Sequence, residues 1–362
     1  MYESMVLLVL GKVAVLRGIF VLVTSALAIA LLALALLRPL IILDHIHLSK
    51  YYLPDMTCKN CNEFKADFIV ENVNVCKNEL GESEDITLLI LVASYHPNVQ
   101  ARRVIRQTWG SVKEYKGHRI KTLFIFGVHK DKNLMSQITY ELEQYGDVIQ
   151  YNVDDRYRTL TNKTMLGLNW VLKNCPKAKY VLKTDDDAFN IPQRFVDYVT
   201  TIEREDFIGG YCFSIKPDRS PGSKFYTTRD EYPDYFYPTY CSGPGYLLSN
   251  AAVKSIVNVA QHVKFLHMED VFVTGVCRNA ANIPFTQIAG IVVSQHQFDT
   301  CSVTSGWVKN THNVIPEHAQ HLWNDVVLKA DPTSCRWLSV KHYFFMIFCV
   351  IVWLKIFHKF FK

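Results

Sequence analysis

The sequence predicts an α/β domain with a mainly parallel sheet, held behind an N-terminal transmembrane helix. Three observations carry that. Near-continuous apolar runs of strand length, such as DITLLILVAS over residues 85–94, read as strands buried on both faces. Amphipathic helical patterns alternate with them, and strand–helix alternation builds parallel sheets flanked by helices. Ahead of both, Gly18 to Leu37 is a run of 20 residues without a charge, long enough to cross a bilayer as a helix.

The N-terminal run comes first in the chain. Lys12 and Arg17 precede it against only Glu3, and the positive-inside rule then leaves the N-terminus in the cytosol. Arg38-Pro39 interrupts the run, and Leu40 to Leu43 extend it. A cleaved signal peptide has a shorter apolar core, about 7–15 residues, with a small-residue cleavage site after it. RPLIILDHIH offers no such site. The reading is a cytosolic tail over 1–17, an uncleaved signal anchor over 18–43 and a polar stem over 44–84. Nine cysteines, Cys58 to Cys335, would then lie in an oxidising lumen where disulfides persist, and an odd number leaves at least one thiol unpaired within the chain. Cys58-Lys-Asn-Cys61 has the spacing of half a zinc knuckle, but no second pair matches it.

Residues 85–335 read as one lumenal domain. Strands are expected over 85–94, 122–128, 147–153 and 179–183, and helices over 99–109, 162–175 and 251–263. In the second helix Met165, Leu168, Val171 and Leu172 form an apolar stripe, and Cys175-Pro176 ends it. The stretch 226–249, dense in Tyr, Pro and Gly, reads as too irregular for regular structure. Tyr343 to Leu354 is an uncharged run of 12 residues followed by lysines; it is short for a span and suits an interfacial or packed helix in an apolar, basic tail over 336–362. The formal charge of +5 is too mild to suggest nucleic acid, and no basic run interleaves with aromatics.

The chemistry concentrates in KYVLKTDDDAFN, residues 179–190. A strand running into three like charges is unfavourable unless the loop is solvated or a cation is bound. Side chains at i and i+2 of an extended segment share a face, so Asp185 and Asp187 could share a cation with Asp186 turned elsewhere. Hard cations such as Mg²⁺ and Mn²⁺ take carboxylate and phosphate oxygens. Arg102 and Arg106 lie at i and i+4 of an expected helix, as phosphate ligands or as a solvated basic face. Glu269-Asp270 runs into an apolar segment, as a favourable helix start or as a semi-buried catalytic carboxylate. His296 follows the strand-like IVVSQ and is a candidate metal ligand.

Six pieces in order, RRVIRQTWG, TLFIFGV, YRTLTNKTMLGLNWVLKNC, KYVLKTDDDAFN, YPTYCSGPGYLLS and EDVFVTGVC, make the chain resemble the β-1,3-glycosyltransferase family, which includes β-1,3-galactosyl- and β-1,3-N-acetylglucosaminyltransferases and, more distantly, Fringe. The resemblance covers about residues 86–300. It implies a GT-A-type nucleotide-sugar-binding domain behind a single-pass type II Golgi anchor. It implies inverting, Mn²⁺-dependent (or other divalent cation-dependent) transfer from a UDP-sugar to a glycan on protein or lipid. Asp187 would bind the metal, with His296 as a further ligand. Arg102, Arg106, Asp185, Asp186, Gly243, Gly245, Tyr246 and Glu269 would line the donor site, and Asp270 would be the base. The tail over 343–362 is not expected in the family, and the sequon Asn162-Lys163-Thr164 lies within a motif that predicts helix, glycosylated or buried and unused.

Two rivals use the same residues. A nucleotide pyrophosphatase would need the carboxylates but no acceptor cleft. A non-catalytic membrane protein that binds glycans or a partner would not need both Asp185–Asp187 and Glu269-Asp270.

Overall fold

The computed structural model describes residues 55–202, 204–292, 303–304 and 306–328. The expected anchor over 18–43, the tail over 336–362 and His296 lie outside the described residues. Among the described residues, no helix is long and apolar enough to cross a membrane.

The strands in chain order are β1 (Phe68–Val70), β2 (Ile86–Ala93), β3 (Glu114–Tyr115), β4 (His118–Val128), β5 (Val148–Asp154), β6 (Ala178–Asp185), β7 (Phe189–Asn190), β8 (Ile208–Phe213), β9 (Tyr240–Ser249), β10 (Phe285–Gln287), β11 (Ile291–Val292) and β12 (Asn310–Thr311). The helices are α1 (Val99–Gln107), α2 (Lys132–Tyr145), α3 (Leu160–Asn174), α4 (Pro192–Val199), α5 (Asn250–Ala260), α6, π-wound over Val271–Cys277 and α-wound over Arg278–Ala280, and α7 (Pro316–His321). The main sheet runs β1-β5-β4-β2-β6-β9-β8-β10, and a small second sheet runs β11-β12-β7.

The four strands expected from apolar runs form the parallel centre, β5-β4-β2-β6. β2 shows why. All eight of its residues are buried. Leu89 and Leu91 enter the core beneath α3, α5 and α6, while Leu88, Ile90 and Val92 enter a second core beneath α1, α4 and α7. A strand with apolar cover on both faces cannot alternate polar residues, so its sequence reads as a continuous run. Truncating Ile90 to Ala would cost about 2–5 kcal/mol at such a position.

Two expectations need correction. The segment 226–249 is not irregular throughout: Tyr240–Ser249 is the ten-residue strand β9, antiparallel to both β6 and β8. Its glycines and proline sit where β6 ends, so Pro244, which lacks an N–H, offers its carbonyl to Thr184 Oγ1 at 2.7 Å instead of joining a full ladder. Gly245 is needed there because a Cβ would come within 2.7 Å of the Asn310 amide. The second correction concerns the stem. From residue 55 the chain is part of the folded domain: Met56 is buried, β1 pairs antiparallel with β5, and Cys76 is disulfide-bonded to Cys175. Cys58 and Cys61 are likewise bonded to each other, which leaves no thiolate pair for zinc.

Candidate active site

Parallel strands of an open α/β sheet build sites beyond their carboxyl ends. β6 does so here. Its last residues alternate across the sheet, so Lys183, Asp185 and, just beyond, Asp187 line one cleft of about 570 Å³. Asp186 turns the other way. It accepts hydrogen bonds from Ser94 Oγ at 2.6 Å, Tyr95 N at 3.0 Å and Asn98 Nδ2 at 3.0 Å, and so pins the turn between β2 and α1. Burial, and after it the charges of Asp185 and Asp186, push the Asp187 carboxyl up to about 6.

β9, running back beside β6, brings Ser242, Gly243 and Pro244 to the same cleft, and the N-terminus of α6 brings Glu269 and Asp270. Asp270 Oδ1 accepts from Val271 N at 2.9 Å and Oδ2 from Gly243 N at 3.1 Å. Burial is the main reason its carboxyl is pushed up to about 7, with Glu269 adding repulsion and Lys183 and the two N–H groups opposing. That is where a general base for neutral pH has to be poised.

Lys183 joins the two carboxylate pairs. Its fully buried ammonium donates to Asp185 Oδ1 at 2.7 Å and to the Gly243 carbonyl at 3.1 Å, and it lies 3.1 Å from Glu269 Oε2. Burial alone would lower its proton affinity, but the charges of Asp185 and Glu269 more than offset this, so it stays a cation. Tyr246 is wholly buried and donates to Glu269 Oε1 at 2.5 Å.

The small sheet supplies the remaining wall. β7 follows Asp187 directly, and β12 pairs with it antiparallel, Thr311 opposite Phe189. The next residue, His312, therefore lines the cleft with Asp185 and Asp187. Its Nδ1 is buried without a hydrogen-bond partner, and its ring bonds the Val292 main chain. Burial holds its proton affinity below the usual range, which favours the neutral, metal-ligating imidazole. Two carboxylates and an unpartnered imidazole nitrogen suit Mn²⁺ better than a purely oxygen-seeking ion. Among the described residues no three His, Cys, Asp or Glu side chains stand close enough to hold a metal ion by themselves. A small cation there would take further ligands from a diphosphate and water.

A family model described as galactosyltransferase matches residues 100–289. The chain is 34% identical to β-1,3-galactosyltransferase 1 of Mus musculus over 271 residues, 74% of this chain and 81% of that protein. It is 37% identical to β-1,3-galactosyltransferase 5 of Pan paniscus over 207 residues, 56% of this chain and 67% of that one.

The chain belongs to the galactosyltransferase family.

It is a glycosyltransferase, and its cleft can be set against what the sequence suggested. Asp185, Asp187, Gly243, Glu269 and Asp270 meet in the cleft of this galactosyltransferase domain. The arginines do not. Arg102 is completely buried and all five of its N–H groups are used: Nε and Nη2 reach Glu141 at 2.9 and 2.7 Å, Nη1 reaches Ser94 Oγ and the Tyr95 carbonyl, and Nη2 also reaches the His96 carbonyl. Arg106 is held by Glu141 and Asp147 and stacks between Phe124 and Tyr145. Protein acceptors have taken these guanidinium groups: Arg102 braces the β2–α1 turn and Arg106 ties α1 to α2 and to the start of β5, and neither lines the cleft. Gly245 and Tyr246 also lie behind the cleft wall, packed on Asn310 and bonded to Glu269. Asn162 stands half-buried in the first turn of α3 with Lys163 and Thr164 buried, so the sequon is not a surface loop.

Sequence reasoning missed Lys183 and His312. Lys183 had a signal: a lysine two residues before Asp185 on an otherwise apolar strand shares its face. His312 had none, since only the β7–β12 pairing brings it to Asp187.

Proposed function

We propose that this glycosyltransferase moves galactose from UDP-galactose to a carbohydrate hydroxyl in β-1,3 linkage, with inversion and with a divalent cation, in the Golgi lumen behind a type II anchor. The single observation that carries the reading is one cleft lined both by Asp185, Asp187 and His312 and by Asp270, whose carboxyl is poised near neutrality. The names of the two relatives support galactose and the β-1,3 linkage. The three disulfides among the described residues support an oxidising compartment.

Asp185, Asp187 and His312 would hold the cation, which supplies charge neutralisation for the departing diphosphate. Asp270, deprotonated, takes the proton of the acceptor hydroxyl. That oxygen bonds to C1 of galactose as the bond from C1 to the β-phosphate oxygen breaks, and UDP leaves with the bonding pair. One displacement from the opposite face inverts the anomeric centre, by the logic of inverting glycosidases with a sugar hydroxyl in place of water. The Gly243 and Val271 N–H groups hold Asp270 at that position, and Lys183 fixes Glu269 beside it.

The test is transfer by the detergent-solubilised full chain, with UDP-galactose, Mn²⁺ and a panel of sugar acceptors. We expect transfer and UDP release that stop with EDTA, and an Asp187→Ala protein that neither transfers nor binds UDP in response to Mn²⁺ while melting, without metal, at or above the wild-type temperature. Transfer that persists in EDTA removes the metal from the reading. Release of UMP in place of UDP makes the chain a pyrophosphatase.

A further inference from the structure

We propose that the cleft opens onto an aromatic shelf that binds the acceptor glycan over more than its terminal sugar; this rests on the transfer reading above. The shelf begins at Tyr240, in the cleft wall two residues before Ser242. Phe213 packs on it with ring centroids 4.8 Å apart, and Tyr211 follows at 5.5 Å from Phe213. Tyr211 and Phe213 are two apart on β8, so they share a face. Exposure rises along the row: Tyr240 is 3% exposed and Tyr211 43%. Ile215, 46% exposed, and Phe225, 42% exposed, line the same cleft from the connection between β8 and β9.

Exposed rings continuous with a polar cleft mark a ligand groove more often than an accident of the surface. A pyranose suits this one. Its C–H face covers an aromatic ring, and its hydroxyls reach outward to polar groups, here the Lys216 ammonium and the Asp218 carboxylate on the cleft rim. Tyr240 is nearly covered, so Phe213 and Tyr211 carry the shelf; their centroids, 5.5 Å apart, extend it beyond the cleft that takes the terminal sugar, so the acceptor class is an oligosaccharide. A strand-adding peptide is not suited to this edge. β10 ends opposite Gly210, and beyond it the Gln287 side chain accepts from Cys212 N at 2.9 Å and donates to the Cys212 carbonyl, closing the backbone that a peptide would need. The Cys212–Cys241 disulfide ties β8 to β9 beneath the rings, so the shelf is ordered before the glycan arrives.

The experiment compares kcat/KM of the full chain for methyl monosaccharides of galactose and N-acetylglucosamine with linear tetrasaccharide methyl glycosides that end in the same sugars. We expect the tetrasaccharide ending in the preferred sugar to be favoured through KM. Tyr211→Ala should lower the tetrasaccharide-to-monosaccharide ratio roughly 3–10-fold, the size of one aromatic contact. Tyr211→Phe and Tyr211→Trp should restore it. A ratio near one in the wild type, an unchanged ratio in Tyr211→Ala, or an equal loss on both acceptors, as a structural role would give, overturns the shelf. Transfer to monosaccharides without any length preference refutes the shelf alone. A chain that neither transfers galactose nor releases UDP takes the transfer reading down and the shelf with it.

Discussion

Asp270→Asn should make the enzyme slower and more stable at once. In the folded protein the Asp270 carboxyl is pushed from the ordinary 3.8 up to about 7, chiefly by burial. A carboxyl with a raised proton affinity stabilises the fold at low pH, and that contribution is lost as pH rises from about 4 through about 7. The shift is about three pH units, and at about 1.4 kcal/mol each it makes the ionised side chain cost roughly 4 kcal/mol at pH 8. Asparagine removes that cost. It also has one carbonyl oxygen where the carboxylate serves two N–H groups, Val271 at 2.9 Å and Gly243 at 3.1 Å. The donor left unpaired costs about 1–3 kcal/mol. The net gain at pH 8 is therefore about 1–3 kcal/mol, and a domain of this size gains roughly 2–4 °C in Tm per kcal/mol. At pH 5 the wild-type carboxyl is protonated, so the gain should vanish or reverse. Thermal scans of both proteins without metal or nucleotide, at pH 5 and pH 8, read this directly. Transfer by the mutant should fall at least about a hundredfold, the usual contribution of a general base, while titration calorimetry shows UDP and Mn²⁺ binding retained. A stability difference that does not change with pH refutes the burial argument. Near-normal turnover removes Asp270 from the chemistry and reopens the choice among Glu269, Asp187 and the histidines.

His312→Ala should weaken the Mn²⁺ response of UDP binding about tenfold or more, as loss of metal-site partners does; if His296→Ala does so and His312→Ala does not, the metal histidine is His296. Arg102→Met should cost roughly 3 kcal/mol or more of stability by taking from Glu141 the guanidinium that bonds both its oxygens, with KM for UDP-galactose unchanged in the protein that folds. A stable Arg102→Met protein with a raised donor KM would return Arg102 to the donor site.

The legible parts of the fold were those that local chemistry dictates. β2, β4, β5 and β6 are apolar because both their faces are covered, whereas α3 is buried well beyond its apolar stripe, with Lys163, Thr164 and Leu166 covered as well as Met165, Leu168 and Val171. β9 was not legible. Tyr240–Ser249 carries Gly243, Pro244 and Gly245 for reasons that lie in its neighbours: Asn310 needs the space at Gly245, and Asp270 needs the Gly243 N–H. The same distinction governs the site. The alternation of Asp185, Asp186 and Asp187 follows from extended backbone and can be read from the sequence. The fate of Arg102 follows from Glu141, 39 residues away, and no local pattern reports it.

The cleft also explains why two adjacent acids, Glu269 and Asp270, need not do the same work. Glu269 is held between the Lys183 ammonium and the Tyr246 hydroxyl, so its charge has a cation and a donor within 3.1 Å. Among the described residues Asp270 has two main-chain N–H partners and no cation in contact. Environments that differ this way separate the roles of paired carboxylates. The one with a counter-ion is engaged by Lys183 and Tyr246 and positions its surroundings. The one without is left with a high proton affinity and can accept a proton at neutral pH. Lys183 is what makes the pair unequal, and through Asp185 Oδ1 at 2.7 Å the same ammonium reaches the carboxylates proposed to hold the cation. The proposed cation site and the proposed base are thus tied to one buried side chain, and a shift of β6 against β9 would disturb both together.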